Sequence, residues 1–344
     1  METIPEQEQT VQEKLTIEDI AKKAGVGKAT VSRVLNNTGY VSEKTRQKVN
    51  QIIEGCDYVP SATARNFVKQ DSNMIGVIVP EAHNPYFASA VEGISSVLDQ
   101  QELLLILCNS NKNFEKEERI LRLLNQQSLK GLIITPTIDD MDQKQIGRYK
   151  ERIRAMKTPV VFMDSGFDFY DWDLVYFDNR ANAYHVTKAA LEQGCKDIGI
   201  LTGDLHIKTA RDRYRGYLQA LEEYAVPLNE AYVYQGDFTA DVAYQITREM
   251  LASPSFPRTV FTTNNLSTIG FIKAVYDSGM VLGRDITCIS FDKLDTFEEL
   301  KYSYLERNPM EMGRMAATML MERIQDPKLP TRKYYLQSKI KMNL

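Results

Sequence analysis

From residue 74 onward the chain alternates between short apolar runs and longer stretches in which apolar residues recur at spacings of three and four. Runs over 74–79, 103–108, 131–135 and 159–163 have the composition of strands buried on both faces, and the spacing between them predicts helices over 86–100, 114–127 and 142–156. The alternation resumes with strands over 174–177, 197–202, 258–262 and 285–290, and helices over 180–193, 210–224, 239–251 and 266–278. Alternating strands and helices imply doubly wound parallel sheets, and a stretch of about 270 residues exceeds one comfortable core. The pattern predicts an α/β body of two lobes over 73–344.

Residues 14–60 carry almost no strand signal. Helical patterns over 16–24 and 28–35 flank Gly25-Val26-Gly27, and a third over 42–55 opens on Ser42, a good N-cap with Thr45 in the first turn. Val59-Pro60-Ser61 then breaks the chain. The segment 62–69 is helical in pattern but too short to be stable alone, so it orders only when something holds it. The predicted organisation is a flexible tail over 1–13, an all-helical headpiece over 14–60, a hinge helix and linker over 61–72, and the two-lobed body.

Charge sharpens that division. The net charge of −4 over 344 residues argues against a nucleic-acid partner until it is split by region. Residues 14–70 hold ten Lys or Arg against five Asp or Glu, a balance of +5, whereas residues 71–344 hold 32 against 37. A small basic module on an acidic body points to nucleic acid or another anionic surface. The longest apolar run, 103–108, is far too short to span a bilayer, and residues 1–13 lack the basic start of a signal peptide, so a cytoplasmic protein is expected. Cys56, Cys108, Cys195 and Cys288 form no Cys-x-x-Cys pair and read as free thiols.

The headpiece pattern suits a helix-turn-helix. Ile20, Ala21, Val26, Val31 and Val34 can pack two helices across the glycine turn, leaving Lys28, Ala29, Ser32 and Arg33 on the outer face of the second. Such a helix fits the major groove, where Lys or Arg donates to guanine O6 and N7. The same pattern also suits a three-helix protein-binding module with a solvated basic face. A phosphate-binding loop ending at Gly27-Lys28-Ala29-Thr30 is excluded, because it needs Gly at 22 and Ser or Thr at 29. In the body, Asp164, Asn264 and Asp292 follow predicted strands and Arg213 opens a helix. Strand ends facing a cleft between two lobes make a natural small-molecule site, and carboxylates with an arginine can hold vicinal hydroxyls, although strand-end Asp and Asn also cap turns. His83, His185 and His206 show no metal spacing, no Gly-x-Ser-x-Gly elbow occurs, and neither an enzyme nor a cofactor is expected. An export-dependent sugar-uptake binding protein would share the body but carry no helix-turn-helix.

Residues 24–37, Ala-Gly-Val-Gly-Lys-Ala-Thr-Val-Ser-Arg-Val-Leu-Asn-Asn, with Val41-Ser42-Glu43-Lys44-Thr45-Arg46 and Tyr58-Val59-Pro60, resemble the lactose repressor (LacI/GalR) family. The resemblance runs on through Ile75-Gly76-Val77-Ile78-Val79-Pro80, Asn84-Pro85-Tyr86-Phe87 and Ser290-Phe291-Asp292, covering 15–340. It implies a helix-turn-helix headpiece, a hinge helix and a core like periplasmic sugar-binding proteins, with lobe crossings near Phe177, Tyr302 and Ile324. The first lobe would then hold about 73–177 and 303–324, the second 178–302 and 325–344. By the same resemblance Lys28, Ala29 and Arg33 read bases, and Thr16, Thr30, Ser32, Asn36, Tyr40 and Thr45 contact phosphates, which fix register without reading sequence. Ala64 and Phe67 fall on the minor-groove positions of the hinge, with Phe67 where a leucine wedge is usual. Gly27 replaces the usual serine cap of the recognition helix.

Arg213, Asn264 and Asp292 match the family's effector-contacting positions, and Asp164 a further pocket position. Asn84, Tyr86 and Phe87 match first-lobe pocket residues, and Phe238 an aromatic that stacks on the ligand. Asn265 stands where the family usually has Asp. Trp172, in the aromatic loop 167–172, suits either a stacking face or loop packing. The resemblance implies a ligand-regulated repressor that binds pseudo-palindromic operator DNA as a homodimer, with a carbohydrate effector controlling operator affinity by population shift through the hinge. The helices over 86–100 and 114–127 would form the dimer surface, and a corepressor protein docking on the first lobe is a further possible partner. An activator or dual regulator built on the same architecture is the alternative. Residues 331–344 read as a strand rather than a leucine heptad, so a dimer is expected.

Overall fold

The computed structural model describes residues 16–35, 38–56, 73–138, 142–165, 171–295 and 299–343. Two units separate, residues 1–71 and 72–344.

In the first unit, α1 (Ile17–Ala24) starts at Thr16, whose hydroxyl accepts from the Asp19 N–H at 3.3 Å while the Asp19 carboxylate accepts from the Thr16 N–H at 2.8 Å. It stops at Gly25, in the left-handed region at φ 68°. Next come α2 (Lys28–Leu35) and α3 (Glu43–Glu54), the latter capped by Ser42 as the sequence suggests. Ile20, Ala21, Ala24, Val31, Val34 and Val49 form the small core. The tail over 1–13, Asn36, and the hinge over 61–72 with Ala64 and Phe67 lie outside the described residues.

The second unit holds two six-stranded sheets. The first contains β1 (Met74–Val79), β2 (Leu104–Asn109), β3 (Gly131–Ile134), β4 (Val160–Met163), β5 (Asp173–Phe177) and β11 (Lys333–Leu336), in the order β11-β5-β4-β3-β1-β2 and parallel throughout. Four helices cover it: α4 (Pro85–Leu98), α5 (Phe114–Asn125), α6 (Gln143–Ala155) and α11 (Pro309–Gln325). The second sheet contains β6 (Ile198–Thr202), β7 (Val233–Gln235), β8 (Thr259–Thr262), β9 (Thr287–Ser290), β10 (Ser303–Glu306) and β12 (Lys339–Lys341), in the order β12-β10-β9-β8-β6-β7. Only β12 runs antiparallel to its neighbour. Its helices are α7 (Asn179–Glu192), α8 (Lys208–Glu223), α9 (Ala240–Ala252) and α10 (Asn265–Asp277).

Three expectations need correction. The second lobe crossing falls after Glu306 rather than near Tyr302, because β10 pairs with β9 in the second sheet. The third falls between Leu336 and Lys339 rather than near Ile324, because α11 packs on the first sheet and β11 extends that sheet beside β5. The expected C-terminal strand is thus two strands in two sheets, and the first lobe takes in residues as far as Leu336. Finally, β2 is not buried on both faces: it is an edge strand with Leu104 66% and Leu107 45% exposed.

Candidate functional site

The outer face of α2 is open to solvent. Lys28, Ala29 and Arg33 are exposed, Thr30 and Ser32 half-buried, and Tyr40 stands in solvent at 92% exposure. The Gly27 carbonyl accepts two N–H groups of the first turn, from Thr30 at 2.9 Å and Val31 at 3.2 Å, so Gly27 opens the helix with backbone alone. Lys28 is not idle: it pairs with Glu18 of α1, and that contact holds the Glu18 carboxyl below its usual range. Exposed pairs of this kind are weak, so Lys28 can exchange Glu18 for another acceptor. Thr16 and Thr45 both have local duties, Thr16 at the α1 cap and the Thr45 hydroxyl 2.8 Å from that of Ser42.

In the second unit the eight cleft residues named from sequence line one cavity of about 420 Å³ between the lobes. Asn84, Tyr86, Phe87 and Asp164 come from the first lobe; Arg213, Phe238, Asn264 and Asp292 come from the second. Strand-to-helix turns supply most of them. Asn84 caps α4, accepting from the Tyr86 N–H at 3.0 Å, and Asn264 caps α10, accepting from the Ser267 N–H at 2.9 Å. Capping and lining the cavity are therefore compatible roles for one asparagine. Asp164 and Phe238 both hold left-handed backbone, at φ 64° and 68°. That conformation is costly for phenylalanine, and the Asn264 side-chain amide fixes it by donating to the Phe238 carbonyl at 3.0 Å.

Arg307 was not found from sequence. It lies in the crossing from β10 to α11, buried, and its guanidinium grips one oxygen of Asp292 through Nε and Nη2. Nη1 donates to the Tyr86 hydroxyl at 3.3 Å, and Tyr86 in turn donates to Asp164. The guanidinium also stands 4.4 Å from the Tyr86 ring centre. No spacing rule marks a lone arginine between a strand and a helix. Arg213 donates through Nε to Asn179 at 2.9 Å and through Nη1 to the Thr263 carbonyl, with its guanidinium 3.8 Å from the Phe291 ring centre. Its Nη2 has no protein partner among the described residues.

These charges balance: two buried guanidiniums face the carboxylates of Asp164 and Asp292. Burial, and then the charge of Arg307, bring Arg213 down to about 10, still protonated at neutral pH. Burial opposes charge on Arg307 as well, but Asp292, Tyr86 and Asp164 outweigh it and lift its pKa above the ordinary arginine value. Enclosure of the Tyr86 hydroxyl raises its pKa well above 10, so it stays a donor. Asn265, flagged as a departure, donates across the cleft to Asn84 Oδ1 at 2.8 Å and joins the lobes directly. Trp172 does not reach the cavity; it packs edge-on against Phe162, ring centres 5.9 Å apart. Among the described residues no cluster of His, Cys, Asp and Glu could hold a metal ion.

Residues 72–341 match the family model described as "Periplasmic binding proteins and sugar binding domain of LacI family", and residues 16–61 match "Bacterial regulatory proteins, lacI family". Among curated relatives, the HTH-type transcriptional repressor PurR of Pasteurella multocida (strain Pm70) is 31% identical over 313 residues, covering 90% of this chain and 92% of that protein. PurR of Photorhabdus laumondii subsp. laumondii is also 31% identical, over 317 residues and 90% of each chain. Among solved structures, the lac repressor dimer bound to operator and the anti-inducer ONPF superposes with a TM-score of 0.81 at 23% identity, covering 95% of this chain and 97% of that one. The transcriptional regulator CelR in complex with cellobiose superposes at 0.68 and 24% identity, covering 95% and 98%. At such identities these structures speak to the fold.

Proposed function

The chain belongs to the lacI family of bacterial regulatory proteins, and from that premise we propose that it is a transcriptional repressor that binds pseudo-palindromic operator DNA as a homodimer and is controlled by a carbohydrate in the cleft. The observation that carries the ligand reading is the charge-balanced cavity. Arg213, Arg307, Asp164 and Asp292 offer paired donors and acceptors without net charge, and Tyr86, Phe87 and Phe238 supply aromatic surface beside them. A neutral polyhydroxy ring answers both features, since its hydroxyls pair with the charged groups and its C–H faces lie on the rings. Solved relatives include a regulator with cellobiose and one from Enterococcus faecium with ribose, in keeping with this class.

For DNA, Lys28, Ala29 and Arg33 would read base edges and Thr16, Thr30, Ser32, Tyr40 and Thr45 would contact phosphates, a reading that the exposure of Lys28, Ala29 and Arg33 supports. Asn36, Ala64 and Phe67 complete the proposed contacts. Effector binding would change lobe closure and with it the order of the 62–69 hinge. The apolar Leu104 and Leu107 of β2 and Leu123 of α5, all exposed, support a homodimer through this face of the first lobe. No helix among the described residues is long and apolar enough to cross a membrane, and a cytoplasmic location is part of the proposal.

Thermal shift of the full chain against cellobiose, ribose and their phosphates tests the reading, since a ligand held at a hundred times its Kd stabilises the folded state by about 2.7 kcal/mol. A neutral sugar should raise the melting temperature, and Arg213→Ala or Asp292→Ala should abolish that rise while keeping DNA binding. Arg33→Ala should weaken operator binding by about 30-fold or more, since a dimer loses a base contact worth about 1–3 kcal/mol in each headpiece. A sugar response that survives both cleft substitutions, or undiminished sequence-specific binding in Arg33→Ala, would overturn the corresponding assignment.

A further inference from the structure

Glu117 sits in the acidic first turn of α5 on the same helical face as Phe114, Leu121 and Leu124, and its side chain is fully enclosed. Both carboxylate oxygens accept from the backbone N–H of Thr137, at 2.9 and 3.2 Å. The hydroxyls of Tyr149 on α6 and of Ser110 after β2 stand near enough to favour its ionised form, and Ser110 Oγ lies 2.9 Å from Thr137 Oγ1. All these partners are uncharged. The charged groups nearby are engaged with one another: Glu118 of α5 with Arg148 of α6, and Lys112 after β2 with Glu81. Cys108 of β2 is a thiol that burial pushes up.

A buried carboxylate with hydrogen-bond donors but no cation is held between two opposed effects, since enclosure favours the protonated form and donors favour the ionised one. Here enclosure outweighs the donors: burial raises the Glu117 carboxyl to about 7 against the pull of Tyr149, Thr137 and Ser110. What Glu117 holds is the wall of the cleft. Thr137 belongs to the segment 135–138, which lines the cavity together with Gln145. In that wall Thr135 Oγ1 and Gln145 Oε1 are buried and make no hydrogen bond. The Ile78 carbonyl holds the start of the segment through the Thr135 N–H at 2.9 Å, and at Thr137 the backbone is held by Glu117.

We propose that Glu117 is a positioning residue of the cleft, whose ionised carboxylate fixes the 135–138 wall through Thr137 and whose protonation loosens it. An N–H bond to a carboxylate is shorter and roughly twice as strong as one to a neutral acid, so uptake of one proton weakens the anchor without touching the cavity itself. The anchor stands whatever the cleft binds; only its consequence for an effector rests on the function proposed above.

The test uses the full-length, ligand-free protein, titrated from about pH 5 to about pH 9, two units either side of the carboxyl's value of about 7. Infrared absorption follows the protonated carboxyl, and hydrogen exchange, corrected for its intrinsic pH dependence, follows the amide of Thr137. The carboxyl band should disappear with a midpoint near 7, and protection at Thr137 should rise several-fold over the same interval. Glu117→Gln should lack both changes. Tyr149→Phe removes one donor to the carboxylate and should move the midpoint upward, which keeps the proposal testable if Glu117→Gln fails to fold. Exchange at Thr137 that ignores pH, a pH step that persists in Glu117→Gln, or an unmoved midpoint in Tyr149→Phe would each overturn the proposal.

Discussion

At position 265 the difference between an amide and a carboxylate decides whether this side chain can donate across the cleft. Asn265 donates to Asn84 Oδ1 at 2.8 Å while its own N–H goes to Asp292 at 3.0 Å. The same Asn84 oxygen already accepts from Tyr86, so the partner across the cleft is an acceptor and needs a donor opposite. Asn265→Asp keeps the side-chain shape and puts an acid at the first residue of α10, where the helix dipole favours it, so the fold should hold. It removes one neutral hydrogen bond, about 1 kcal/mol, or roughly a fivefold change in the balance between this lobe arrangement and more open ones. Small-angle scattering of the ligand-free variant should give a larger radius of gyration, with faster hydrogen exchange around 84 and 265. Unchanged scattering and exchange would show that this bond does not hold the lobes. Residues of this kind were partly legible in the sequence. Asp164, Asn264 and Asp292 follow strands and could be named, and Asn84 came with the family resemblance, whereas Arg307 and Glu117 could not, since each looks like an ordinary surface charge until non-local packing encloses it.

Among the elements, two helix glycines separate close packing from mere flexibility. Where α4 crosses α11, a Cβ on Gly313 would lie 1.9 Å from the Ala90 carbonyl oxygen, and one on Gly93 would lie 2.0 Å from that of Met310. The helices meet backbone to backbone, so Gly313→Ala must push them apart and should cost about 1–3 kcal/mol. Gly147, exposed on α6, has nothing within 4 Å of its Cβ position, and Gly147→Ala should instead stabilise by about 0.5–1 kcal/mol. Urea midpoints of the two variants should move in opposite directions, and a shared sign would contradict this picture of the crossing. Helices over one apolar stripe are legible in the sequence to within a few residues; α11 carries the same signal, burying Met312, Ala316, Ala317, Met319 and Leu320 along one face at spacings of three and four, although it is not among the helices predicted from sequence. The three residues of β7 are too few to signal anything, and the lobe crossings depend on which sheet β10 and β11 join, a choice made by distant partners.

For the whole molecule, the division of charge along the chain carries the strongest consequence, and it was fully legible because a count needs no fold. Residues 14–70 hold a balance of +5 and the remainder is acidic, so attraction to a duplex is concentrated on one small module. Lys22, Lys23, Lys44 and Lys48 are exposed on the headpiece along with Lys28 and Arg33. If two headpieces bind one operator and each neutralises about four phosphates, the logarithm of affinity should fall against the logarithm of salt with a slope of about −7, a loss of about 10⁴-fold between 50 and 200 mM. Replacing one phosphate-facing lysine, for example Lys44→Ala, should reduce that slope by about two in a dimer, one for each headpiece, and weaken specific and non-specific binding alike. Arg33→Ala should behave differently, weakening the specific complex most because a base contact is lost with the charge. Binding measured over that salt range on operator and on random duplex separates the two patterns. A slope near −3 or shallower would mean that a single headpiece engages DNA, and the two-headpiece complex would have to be abandoned even with the fold intact.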